Sequence, residues 1–493
     1  MTSGILLAKR IGKISIFIIV SLIIVYFTNF FNIAILNSNL MVNLSNLIIA
    51  SYTALITLFF SISGLHLSKQ YGLISADILI NKSRRLLIMY LMAISIAIIG
   101  ITWKPENFKM LKITTKVVSI NATSTMIGVE IVFILLFVYL FPKYLLETFR
   151  ISPVEIIKML GYPDDVVRDS KKGKLQLANN RLSKGLTLIR ICIMDLAMRD
   201  ELKKVVSIFS KTIRQIPYED LKKKGVDIGK IIFAIHIRMD ECIFDPLIST
   251  HLKPDTRIFS RLFCNLTRMY IISDLLNSSL FDEFLDKIYR ITVDYVNSDK
   301  KEALNEFFFS VLWIFNENAN KISDWEVSKV LSKGITLSAT LIKLLEAKLN
   351  KTNDIKYILF VLSSYLQDWL LRYPRAFIGL NIDDLIYLIE KGDRLFTGSV
   401  IIALSRIERE LEVIKEEEHE FVYRRTVVNF EKIKAEINKI LKTNRWRIFV
   451  EGNSLGILNT SDRTIGAIQL KNILNREDIE LLRLFIQKHF TPL

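Results

Sequence analysis

From Ile14 to Leu65 the chain carries no charged residue and no histidine. A bilayer core of ~30 Å is crossed by about 20 apolar residues, so this run is too long for one crossing. Asn37, Ser38, Asn39 and Asn43 divide it. The pattern predicts a membrane hairpin, with one span over about 14–35 and a second over about 44–67. The apolar stretch outlasts a signal-peptide core, and asparagines follow it where a small-residue cleavage site would stand, so a retained anchor is expected. Two further apolar segments, 86–103 and about 125–142, predict a third and a fourth span. Trp103 ends the third, and Pro142 with Lys143 marks the exit of the fourth. The stretch between them, Lys104 to Ser124, is polar and β-branched and reads as an external loop.

Lysine and arginine near the span ends set the expected orientation. Lys9, Arg10 and Lys13, then Lys69, Lys82, Arg84 and Arg85, then Lys143 and Arg150 fall on one side; only Lys104, Lys109, Lys112 and Lys116 fall on the other. Four spans return the chain to its starting side. The expectation is a multi-pass protein of the cell (plasma) membrane with both termini cytoplasmic. An Asn-Ala-Thr sequon at Asn121 stands on the expected outer side.

Charge is distributed unevenly. Residues 1–150 carry 13 Lys+Arg against 4 Asp+Glu, residues 151–224 carry 16 against 9, and residues 225–493 carry 37 of each. The basic excess therefore ends at 224. Lys171, Lys172 and Lys174 form one cluster and Lys222, Lys223 and Lys224 another. Juxtamembrane basic residues gain about 1 kcal/mol each beside an anionic leaflet, so both clusters are candidate lipid contacts. Ordinary solvated helix faces would account for the same residues. No helix-turn-helix, zinc-finger or RNA-recognition signature accompanies them, so a nucleic-acid partner is not expected.

Beyond residue 150 the expectation is all-α, a large cytoplasmic array of helices forming either a solenoid-like stack or an irregular bundle. Ser152-Pro153-Val154-Glu155 reads as a capping box opening a short helix that Gly161 ends. Helical periodicity then runs from Leu175 to about 442, with breaks such as Pro217, Gly225, Pro254 and Pro374. No fixed repeat emerges. The sequence predicts a basic juxtamembrane helical region (151–224), a helical domain (225–443) and a small α/β segment (444–493). Phe307 to Phe315 and Tyr357 to Leu366 are apolar but only half as long as a crossing, so they read as buried helices.

Candidate sites are few. Gly452-Asn453-Ser454-Leu455-Gly456 matches a nucleophile elbow, yet no helix start follows it and only His489 remains downstream; a hairpin turn explains it better. His236, Asp240 and Cys242 share one helix but lack a further metal ligand. Glu416 to Glu420 reads as a solvated acidic face. Cys192, Cys242 and Cys264 match no zinc or disulfide pattern. Neither catalysis, a cofactor nor a metal is expected.

Glu130 is the single acidic residue inside any expected span. A carboxylate in hydrocarbon costs about 2.5 kcal/mol or more, so it belongs at a bundle interior, a polar path or the interface. The simplest placement is the outer headgroups, with the fourth span beginning just after it. Two functions remain. The first is a membrane-anchored scaffold whose helical cytoplasmic domain binds a protein partner or an anionic lipid surface. The alternative is an ion channel or transporter with a polar path near Glu130, which four helices could form only as a homo-oligomer.

Overall fold

The computed structural model describes residues 21–29, 40–102, 113–114, 119–120, 122–250, 253–276, 278–300, 302–318, 322–347, 352–418 and 420–490. The chain is mostly helical, with a small three-stranded sheet near its C-terminal end. It divides into two compact units, Met1–Gly161 and Tyr162–Leu493.

In the first unit, a helical segment at 21–29 precedes α1 (Leu40–Tyr71) and α2 (Ser75–Thr102). Gly72, with φ +51°, opens the three-residue joint between these two long helices; a side chain there would be strained. A short strand pair, β1 (Ile113–Thr114) with β2 (Ser119–Ile120), precedes α3 (Ala122–Phe149) and α4 (Pro153–Met159).

Helices α1 and α3 run parallel. Ser45 meets Glu130, Tyr52 stacks on Phe137 with ring centroids 3.9 Å apart, Phe59 meets Phe141 at 6.4 Å, and His66 meets Phe149 at 4.7 Å. The α1 partners recur every seven residues, which keeps one face on the neighbouring helix as in a coiled-coil seam. Leu86, Ala93 and Ala97 of α2 complete this core. Ser152 caps α4 by accepting the Glu155 amide at 3.2 Å, as the capping box predicts, while the Glu155 carboxylate pairs with Lys82 at 3.6 Å.

The expected spans fare unequally. Among the described residues two helices are long and apolar enough to cross a membrane, Val42–Tyr71 and Ser124–Phe149. These are the second and fourth expected spans. Most of the first lies outside the described residues, as do Trp103 and the Asn121 sequon. The third is the later part of α2, after Lys82, Arg84 and Arg85, and α2 is not one of these two helices. The expected loop between spans two and three shrinks to Gly72–Ile74, because the charged residues around it sit on helical extensions. Pro142 does not end its helix. It withdraws one backbone donor, but the turns after it continue to Phe149.

The second unit opens with α5 (Asp164–Lys171), α6 (Leu175–Met194), α7 (Arg199–Gln215), α8 (Tyr218–Lys223) and α9 (Gly229–Met239), which passes through a π-turn into α10 (Asp245–Ser249). Then come α11 (Arg257–Ile272), α12 (Ser279–Asn297), α13 (Ser310–Glu317), α14 (Asp324–Ala347), α15 (Thr352–Arg372), α16 (Ile382–Lys391), α17 (Arg394–Glu417) and α18 (Glu420–Thr443).

One layer of packing runs from α6 to α9 and α12, in steps of three helices, and then through α14, α16 and α18, in steps of two. A second layer runs from α7 to α11 and on to α13, with α15 packed on α17. Phe309 and Tyr365 link its middle, stacked at 5.1 Å. Two layers of successive helix pairs make a stack in which each pair buries its apolar face on the next. Ion pairs cross from helix to helix along the first layer: Asp240–Lys287, Asp282–Lys329, Asp286–Lys333, Lys343–Asp384, Glu346–Lys391 and Glu390–Lys439. Being partly or fully exposed, each contributes about 0–1 kcal/mol; they fix register more than stability.

The Phe307–Phe315 segment lies in the core at Phe307, Phe308, Phe309, Val311 and Ile314. Tyr357–Leu366 belongs to α15 and is only partly buried, with Tyr357 and Phe360 exposed. The last segment is an antiparallel sheet of β3 (Trp446–Glu451), β4 (Ser454–Asn459) and β5 (Ile465–Gln469), followed by α19 (Arg476–His489). Gly398 of α17 lets this sheet approach, since a Cβ there would lie 2.8 Å from Ile468 Cδ1.

Candidate functional site

Glu130 stands eight residues inside α3, because the helix already begins at Ala122. The side chain is fully buried. Ser45 Oγ donates to its Oε1 at 2.6 Å, and Oε2, equally buried, receives no hydrogen bond. Among the described residues no lysine, arginine or histidine pairs with it.

Other polar groups gather toward the same end of α3. Asn29 Nδ2 donates to Thr125 Oγ1 at 3.0 Å and to the Val25 carbonyl at 2.9 Å, and Thr28 Oγ1 donates to that carbonyl at 2.9 Å. Ser124 is buried with no partner for its hydroxyl. Gly128 permits the approach of the 21–29 helix, since a Cβ there would come within 2.6 Å of Thr28 Oγ1 and 3.1 Å of Val25 Cα. Sequence reasoning found Glu130 but missed Ser45, Asn29 and Thr125. Ser45 was legible in principle, being one heptad before Tyr52 on the same face.

All six clustered lysines are exposed. Lys222 is paired with Asp274. Among the described residues Lys171, Lys172, Lys174, Lys223 and Lys224 have no carboxylate partner. The structure does not bring the two clusters onto one element: the first ends α5, which packs on α6 and α7, and the second ends α8, which packs on α11.

The helical histidine has different partners from those its sequence neighbours suggest. His236 is buried between Tyr270 Oη, 2.9 Å from Nδ1, and Glu283 Oε2, 3.0 Å from Nε2. A carboxylate only accepts, so Nε2 carries a proton toward Glu283, and in the neutral ring the Tyr270 hydroxyl donates to Nδ1. Burial pushes the Tyr270 phenol above its usual value, which keeps it a donor. Asp240 pairs instead with Lys287. Among the described residues no group of three or more His, Cys, Asp or Glu could hold a metal.

The Gly452–Asn453 pair is a two-residue hairpin turn with Gly452 at φ +56°, and Ser454 is the first residue of β4, opposite Glu451. His489 is bound to Glu408 at 2.6 Å. Glu416, Glu417, Glu418 and Glu420 are exposed, with Glu417 on Arg375.

No family model, no curated protein and no solved structure matches the chain. Function must be argued from the chemistry of these groups.

Proposed function

We propose that this chain is a multi-pass protein of the cell membrane. In this reading the first unit is a four-span anchor with both termini cytoplasmic. The second unit is a helical module that engages a protein partner or an anionic lipid surface. One observation carries the reading, the inverted polarity of the first unit. Among the described residues, twenty exposed large apolar side chains belong to it and seventeen to the second unit, which is twice as long. Leu65, Ile80, Leu91, Val138 and Tyr139 are more than half exposed, while Ser45, Ser63, Ser83, Ser124 and Glu130 are buried. In water such a surface would be a large apolar patch; in lipid it is the ordinary outside of a helix bundle.

For the module, support comes from the five exposed lysines without carboxylate partners, which begin about 20 residues after the last candidate span. The stacked helices also present an extended surface of the kind helical-repeat proteins use for partners. Extraction of native membranes with alkaline carbonate tests the anchor: the chain should stay in the pellet, and release into the supernatant would refute it.

The burial of Glu130 favours a second reading, a homo-oligomeric channel or transporter. Ion flux in liposomes, wild type beside Glu130→Gln, separates the two. Flux that falls in the variant supports conduction, and none above empty liposomes leaves the anchored module.

A further inference from the structure

We propose that Glu130 and Ser45 form a binding site for a small monovalent cation, a sodium ion or a proton, inside the helical bundle of the first unit. The argument begins with charge. A buried carboxylate must be neutralised, because the cost of leaving it ionised and alone exceeds what one hydrogen bond returns. Ser45 Oγ satisfies only Oε1. Oε2 is buried and aimed at no donor. No basic side chain supplies the missing charge among the described residues. A divalent ion would overcompensate a single carboxylate, and calcium sites gather several acidic ligands and six to eight oxygens. One positive charge, which none of the described residues supplies, would neutralise the carboxylate. The atoms on offer, a carboxylate and a hydroxyl, are hard oxygen ligands that suit sodium as well as a proton.

The neighbouring polar groups indicate where such a cation would enter. Thr125 and its partner Asn29 lie between the start of α3 and Glu130, and the unpartnered Ser124 hydroxyl lies beside them. On the other side of Glu130 the α1–α3 seam is aromatic, with Tyr52, Phe137 and Phe141 stacked. Polar groups thus lie on the side of Glu130 toward the beginning of α3, and aromatic rings on the side toward its end.

The site is buried whatever surrounds the bundle, so its test is separate from carbonate extraction and from flux. The full chain in liposomes is treated with a hydrophobic carbodiimide, which modifies a carboxyl group only when protonated and free of metal. Modification of Glu130 is read by peptide mass spectrometry. The expected result is modification at acidic pH without sodium. If the proton is the ligand, it declines by about tenfold per pH unit above its midpoint. If sodium is the ligand, sodium chloride at fixed pH suppresses it, whereas choline chloride does not. Either decline supports the site and identifies its ion. Ser45→Ala retains the carboxyl and should weaken sodium protection by about tenfold, the value of one hydrogen bond to a charged group. Glu130→Gln gives the unmodified control peptide. Two results would overturn the proposal: no modification of Glu130 at any pH without sodium, or modification at one rate across pH and sodium concentration.

Discussion

The sharpest test of the second unit is a double-mutant cycle at His236 and Tyr270. The ring of His236 joins three helices that are distant in sequence: its own α9, α11 through Tyr270, and α12 through Glu283. Tyr270 is 1% exposed and His236 5%. Tyr270→Phe leaves Nδ1 without its donor, and His236→Leu leaves the phenol hydroxyl without its acceptor. Stranding one buried polar group costs about 1–3 kcal/mol. His236→Leu also frees Glu283, but that carboxylate is 58% exposed and regains water. Because this loss is common to the single and the double variant, it cancels in the cycle. The double variant removes both members of the bond and strands neither, so it should be less destabilised than the sum of the singles by about 1–2 kcal/mol. Native-state hydrogen exchange of α9 and α11 in the full chain reads this directly, since 1.4 kcal/mol multiplies local opening about tenfold. Each single variant should exchange roughly tenfold to a hundredfold faster than wild type. Strictly additive effects, or singles that exchange like wild type, would refute the bond as the lock between these helices.

Other outcomes follow from the same structure. Gly398→Val would push its side chain into Ile468, with Ile457 and Leu455 at 3.4 Å, and should loosen the sheet from α17 at a cost of about 1–3 kcal/mol, read as faster exchange in β4 and β5. Cys192 is buried, and desolvation, reinforced by the charges of Glu201 and Asp195, pushes its thiol up to about 12; it should resist maleimide at neutral pH until the chain is unfolded. Burial opposes ionisation of Glu408, but hydrogen bonds from His489 and Lys488 outweigh it and hold the carboxyl below its usual value. A depressed acid adds stability above the ordinary carboxylate range, near pH 4.3, and loses it as pH falls through the folded value. Protection of α19 should accordingly drop in acid, and Glu408→Gln should remove that pH dependence. Neutralising Lys171, Lys172, Lys174, Lys223 and Lys224 together should abolish salt-sensitive contact of the second unit with phosphatidylserine vesicles, whereas Lys222→Gln alone should change little, because Asp274 already holds Lys222.

Local chemistry was the legible part of this fold. Gly72, Ser152 and Gly452 act through their own backbone neighbourhood, and two of the three were readable as a cap and a turn from a few adjacent residues. Helix periodicity likewise delivered the array from Leu175 to 442, because each helix writes its buried face into its own sequence. The order of packing was not legible. The contact of α12 with α14 and of α14 with α16 depends on which faces match, and the marks it leaves, Asp282 with Lys329 or Asp286 with Lys333, are separated by 47 residues. Pro142 lies inside α3 for a related reason: a proline penalises one hydrogen bond, and whether a helix stops there is decided by the turns beyond it.

What distinguishes the first unit is an apolar exposed surface around a buried carboxylate. In the second unit several buried polar groups are paired within the chain, His236 with Tyr270 and Glu283, Ser399 with Gln367 and Asp169 with Arg181, while others, such as Ser338, lack a partner for a buried polar atom among the described residues. In the first unit the outside is apolar, and the one buried carboxylate is left half-satisfied beside a serine. A chain able to cap α4 with Ser152 and to tie α19 down through Glu408 could have placed a lysine one turn from Glu130, and the described part of the bundle holds none. A buried acid whose counter-charge none of the described residues supplies calls for a counter-charge that arrives and leaves, which is what the carbodiimide experiment measures.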